Sequence, residues 1–301
     1  MAALAFHDDP AVKEQALAKL RHHIEGGTFR YYPAWSEDGA NPVGSIVEAD
    51  DPQKYTDMLG YPLALATALP ALVAYFVNLA EAAAYSVAWL ERTPVGANLS
   101  KVVSQALVEV LQQPALVSLT SAHPGIEASR RGVIDLHRQA VEGQDPDRVA
   151  WKTARRAAIA ASDTVTDNPL LQKAGAVVEA AAWPGSMRTG LHDVLGARGG
   201  LETRQLLAES GWTDELESQV FRIREQAETT GRFAELTGID RVLALLDADH
   251  PELASGFRQR MQQFEKLGDA GRAVAWRIIG LLEQAPVAGE RRVDLTAEGG
   301  A

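Results

Sequence analysis

The 301-residue sequence contains no cysteine. Disulfides, thiolate nucleophiles, iron–sulfur clusters and cysteine-ligated zinc are therefore excluded together. Positive charge is also scarce: 29 Lys and Arg against 40 Asp and Glu leave a net charge of −11. A protein that holds DNA or RNA by its phosphates needs a concentrated cationic surface. The pairs Arg130–Arg131, Arg155–Arg156 and Arg291–Arg292 are too short and too separated to form one, so nucleic acid is not an expected partner. No basic region precedes the apolar patch of MAALAFHDD, so no signal peptide is expected and the cytoplasm is the default location. The motifs G-x-x-x-x-G-K-S/T, G-x-S-x-G, H-E-x-x-H and E-x-x-H are all missing, which removes the usual sequence marks of phosphate loops, serine hydrolases, zinc peptidases and di-iron bundles. No cofactor can be named, and no metal site is expected. The HD dipeptides at His7–Asp8 and His192–Asp193 lack the further ligands that a phosphohydrolase needs.

What remains is the composition of a globular chain, 46% apolar and 23% charged. Its length permits one large core or two modest domains. One run, Met58 to Ala80, carries no formal charge and is long enough to span a bilayer. Pro62 and Pro70 interrupt it, Asn78 lies inside it, and the acids Asp57 and Glu81 flank it. A helix buried on all sides of a helical protein gives the same pattern, so a soluble protein without a membrane span is expected. That helix should run from Leu63 to Arg92, kinked near Pro70.

Elsewhere apolar residues recur at helical spacing. Val12, Ala16, Leu17, Leu20 and Ile24 form one stripe behind a start signal at Asp9–Pro10. Asp51–Pro52, Asp145–Pro146 and Asn168–Pro169 repeat that signal, and Gly60 and Pro114 are stops. No alternation of strand and helix occurs. The expected fold is all-α, a multi-helix bundle whose irregular segment 26–51 has room for a short hairpin made by TFRYY and GSIVEA. GARGG, Gly196 to Gly200, is the best candidate boundary. It divides an N-terminal helical domain, 1–197, from a C-terminal helical subdomain, 198–286, with an unstructured tail at 287–301.

Residues 21–62 are the least ordinary part of the chain. His22, His23 and Glu25 occupy the last turn of the first helix, where a histidine can serve as acid, base or ligand, or can simply complement the helix dipole. Tyr31, Tyr32 and Trp35 follow, able either to wall a pocket or to plug the loop onto the core. Glu37, Asp38, Glu48, Asp50 and Asp51 match no calcium loop and are expected to be solvated. Asn98 and Ser100 read as helix caps. Arg155 and Arg156 lie in an alanine-rich helix, where a salt bridge to a neighbouring helix is preferred over contact with an anionic ligand.

His23, Glu25, Trp35, Val43–Gly44, Tyr55, Leu59–Gly60 and Pro62 together resemble a family of uncharacterised bacterial proteins with the pattern H-x-E, W, V-G and Y-x-x-x-L-G-x-P. Pro94–Ser100 and the helix from Trp151 are similar to its later landmarks, so the likeness covers roughly residues 15–165. Asn41 and Ser45 stand where that family has cysteines, and Glu48 and Pro52 where histidines would fall. A thiol or Cys/His metal role is thus not implied. The resemblance marks a region rather than an activity.

The expected function is binding of a small molecule or partner peptide at residues 21–62, with Tyr32, Trp35 and Tyr55 as ligand-binding residues. One alternative is an enzyme with His23 and Glu25 as its acid–base pair. Another is a structural homo-oligomer that buries the uncharged helix between subunits.

Overall fold

The computed structural model describes residues 4–236 and 238–287, apart from the side chains of 264–267; the tail expected to be unstructured lies, after Val287, outside these residues. Within them the fold is all-α, with fourteen α-helices and one two-stranded hairpin.

Side-chain caps set where the helices begin. Asp9 accepts the Ala11 N–H at 2.8 Å and Pro10 fixes φ for the first turn of α1 (Pro10–Glu25). The chain then turns through a hairpin, β1 (Trp35–Ser36) and β2 (Gly39–Ala40), and a short helix, α2 (Pro42–Val47). The hairpin expected from TFRYY and GSIVEA is therefore built otherwise: most of GSIVEA is helical, and Phe29 touches β2 only through one bridge to Ala40. Asn41 accepts the Gly44 N–H at 2.9 Å to start α2, whose six residues are all buried. Asp51 caps α3 (Pro52–Leu59), and Gly60 ends it at φ +69.

The expected Leu63–Arg92 helix is two helices, α4 (Leu63–Val73) and α5 (Leu79–Arg92). Pro70 is accommodated inside α4; the break comes later, because Asn78 accepts the Glu81 N–H at 2.9 Å and starts α5 afresh. Leu65, Leu69 and Leu72 are at most 1% exposed, so α4 is covered within this chain. Burying each of these leucines is worth about 1.5–3 kcal/mol. No single helix among the described residues is long and apolar enough to cross a membrane.

Next come α6 (Val102–Leu111), α7 (Pro114–Ser121) and α8 (Pro124–Glu142). α9 (Arg148–Ser162) starts at Asp147, two residues after the expected cap, with the Asp147 carboxylate 2.8 Å from the Ala150 N–H. α10 (Pro169–Ala181) begins under the Asn168 cap. α11 (Gly190–Ser210) runs unbroken through GARGG. α12 (Asp214–Thr230), α13 (Gly238–Asp249) and the 33-residue α14 (Pro251–Glu283) complete the chain.

Two apolar cores result. The larger draws on α1 to α11 and on the last turns of α14. Aromatic rings pair within it, Phe6 with Tyr61 at 5.6 Å, Tyr61 with Trp89 at 6.0 Å and Phe76 with Tyr85 at 4.9 Å. The smaller core is Trp212, from the turn before α12, with Val220, Val242, Leu246, Ala254 and Phe257, from α12, α13 and the start of α14. The expected boundary at 197/198 thus falls inside α11, and Val274, Ile278 and Leu282 belong with the larger core.

Candidate functional site

Of the residues singled out in 21–62, the structure brings His23 and Trp35 together, ring centres 5.7 Å apart and edge to face. His23 Nδ1 lies 2.8 Å from Thr28 Oγ1. Thr28 also reaches the His23 carbonyl oxygen at 3.3 Å. When the hydroxyl donates there, Nδ1–H is the donor to Thr28 and Nε2 is left as the free base. Partial burial holds the His23 pKa below its usual value; the neighbouring His22 adds to this, and Glu48 works against it. The carboxylate in its field is Glu48, held 2.7 Å from Lys19 Nζ.

The other expected partners lie elsewhere. Glu25 is exposed, without a hydrogen bond or ion pair among the described residues. Tyr32 is 84% exposed and Tyr55 is fully buried beside Tyr61, so the two cannot face one cavity. Tyr31, by contrast, ties the loop down by donating to the Phe76 carbonyl at 2.7 Å. Gly44 has no room for a side chain: a Cβ there would stand 1.9 Å from the Ala34 carbonyl oxygen. That contact accounts physically for Gly44 in the Val–Gly pair.

A different place has the make-up of a binding site. Between α9 and the loop from Ala182 to Thr189 lies a cavity of about 650 Å³, within the range of small-molecule pockets. Arg148, Lys152, Arg155 and Arg156 line one side, and Arg188 reaches it from the loop. No carboxylate lines it. On α9 these positions fall at i, i+4, i+7 and i+8, which is one face of a helix.

Arg155 is committed to the protein. Its Nη2 donates to Glu179 Oε1 on α10 at 3.0 Å, and its guanidinium lies 4.5 Å from the centre of the Trp183 ring. The expected salt bridge therefore forms, but only for Arg155. Arg148, Lys152, Arg156 and Arg188 make no side-chain ion pair or hydrogen bond among the described residues.

The floor is rigid. Trp151 is 3% exposed and packs on His137, ring centres 4.8 Å apart. His137 Nε2–H donates to the Ala181 carbonyl at 2.9 Å, pinning the start of the loop to α8. Burial pushes the His137 pKa down to about 4, offset in part by that hydrogen bond, so the ring is neutral near pH 7. Gly185 presses the loop onto α6, since a Cβ there would meet Ser104 Oγ at 2.5 Å.

The sequence carried part of this signal, in the four-residue spacing of Arg148, Lys152 and Arg156. It did not carry the loop from α10 to α11 that closes the cavity.

Compared with known proteins, the chain matches no family model, no curated protein and no solved structure.

Proposed function

We propose that this protein binds a small anionic molecule in the cavity between α9 and the 182–189 loop. The observation that carries this reading is charge segregation. In a chain of net charge −11, five cationic side chains surround one concavity, four of them without an acidic partner among the described residues, and no carboxylate lines it. A concave site of one sign, with low-dielectric walls of Trp151 and Trp183, concentrates field and attracts the opposite charge. Unpaired like charges held together destabilise the empty protein, and an anion relieves that repulsion.

Calorimetric titration of the full chain with inorganic pyrophosphate tests this. Binding should weaken as salt rises. Lys152→Glu and Arg156→Glu should each cost at least about tenfold in affinity, about 1.4 kcal/mol, with little change in melting temperature because both side chains are exposed. His23→Ala should leave affinity intact. Loss with His23→Ala and retention in the two α9 variants would move the site to the His23–Trp35 contact, as the sequence alone suggests. No binding of pyrophosphate at low salt would overturn the proposal.

A further inference from the structure

We infer that the occupant of this cavity is an aromatic polyanion, a flat ring bearing more than one negative group, as in a nucleotide. The inference rests on the anion-binding reading above. It comes from how the lining divides. Arg148 and Arg156 are eight residues apart on α9, which separates their backbones by about 12 Å along the helix axis. A ligand with charge on successive groups can engage the whole row, Lys152 between its ends included, more fully than a lone carboxylate or a single phosphate.

The lining also has an apolar part. Ile159, on α9 itself, and Trp183, on the loop, are half-buried, Pro184 follows Trp183, and Met187 is 39% exposed. An exposed methionine next to a half-buried tryptophan is a surface that gains from being covered by an apolar body. The body it fits is planar. Arg155, bonded to Glu179 and 4.5 Å from the centre of the Trp183 ring, makes with it a guanidinium–indole pair of the kind on which aromatic rings stack. An acyl chain would use the same wall but would gain nothing from that plane, and its single headgroup would leave part of the α9 row unengaged.

The test compares ADP, adenosine, inorganic pyrophosphate and decanoate by calorimetry on the full chain, without added metal. ADP should bind at least tenfold more tightly than pyrophosphate, and adenosine should bind weakly. Trp183→Ala should erase the advantage of ADP over pyrophosphate. Met187→Ala, at an exposed position, should reduce the advantage and serves if Trp183→Ala does not fold. Equal affinity for ADP and pyrophosphate would overturn this inference and leave the anion reading standing. Preference for decanoate over ADP would replace the aromatic ring with an acyl chain, which also overturns it. If neither pyrophosphate nor ADP binds, the anion reading falls, and this inference with it.

Discussion

At the scale of single residues, two groups, one buried and one partly buried, make the stability of the fold depend on acid. His137 is fully buried, and burial lowers its pKa from 6.5 to about 4. Between those values the unfolded chain holds a proton that the folded chain does not. The stability His137 contributes is complete above pH 6.5 and is lost as pH falls through about 4. Glu127 acts lower. Hydrogen bonds from Arg130 first, then from Thr120 and Arg131, bring its pKa from 4.5 to about 2 against the opposing effect of burial. Its contribution is complete above pH 4.5 and is lost as pH falls through about 2. The melting temperature should therefore decline in two phases. His137→Gln, which keeps a donor for the Ala181 carbonyl but cannot be protonated, should flatten the phase between pH 6.5 and 4 and leave the lower one. A wild-type slope in the variant over that upper range would show that another group is responsible. None of this was legible in the sequence. His137 reads there as one of seven scattered histidines, because burial and partners belong to the tertiary fold.

At the scale of elements, starts were legible and breaks were less so. Asp9, Asp51 and Asn168 cap as their sequence context indicates, because a capping bond spans only two or three residues. Asn78 is the same kind of cap, hidden inside an apolar run that reads as continuous. α2 was hidden for the opposite reason: PVGSIV has poor helix propensity and is helical because burial of all six residues outweighs it. The glycines of GARGG mislead in a third way. Gly196, Gly199 and Gly200 sit within α11, and a Cβ added to any of them meets nothing within 4 Å. Arg198 between them is 3% exposed, bonded to Gln113 at 2.7 Å and paired with Glu202, which ties this stretch to the turn between α6 and α7. Alanine at each glycine should therefore stabilise the protein, by about 0.4–1 kcal/mol per site, through the lower entropy of the unfolded chain. Chemical denaturation of the three single variants measures this. Destabilisation would show that the backbone there leaves helical geometry, as a boundary at GARGG requires. The candidate site divides along similar lines. The cationic face of α9 can be read from spacing, whereas the absence of carboxylates around it depends on α10 and the loop after it.

At the scale of the whole molecule, two cores share one helix. The start of α14 places Ala254 and Phe257 in the smaller core, and its last turns place Ile278, Ile279 and Leu282 in the larger. The proposed binding cavity lies against the larger core, through Trp151, His137 and the loop from Ala182. Stability need not be uniform across such a structure, and the smaller assembly, with far fewer buried side chains, should be the first to open. Trp212 is its largest buried residue, 5% exposed, packed on Phe257 at 5.8 Å, with its indole N–H donating to Glu217 at 2.7 Å. Replacing a buried tryptophan by alanine costs about 3–5 kcal/mol, much of what so small a core can supply. In Trp212→Ala, amide hydrogen exchange should accelerate through α12, α13 and the first turns of α14. Protection in α4, α5 and the last turns of α14 should stay close to wild type, and so should pyrophosphate affinity. Uniform loss of protection would mean that α14 couples the cores into one cooperative unit. In that case the binding cavity would depend on residues far from it in the sequence, and pyrophosphate affinity would fall together with protection.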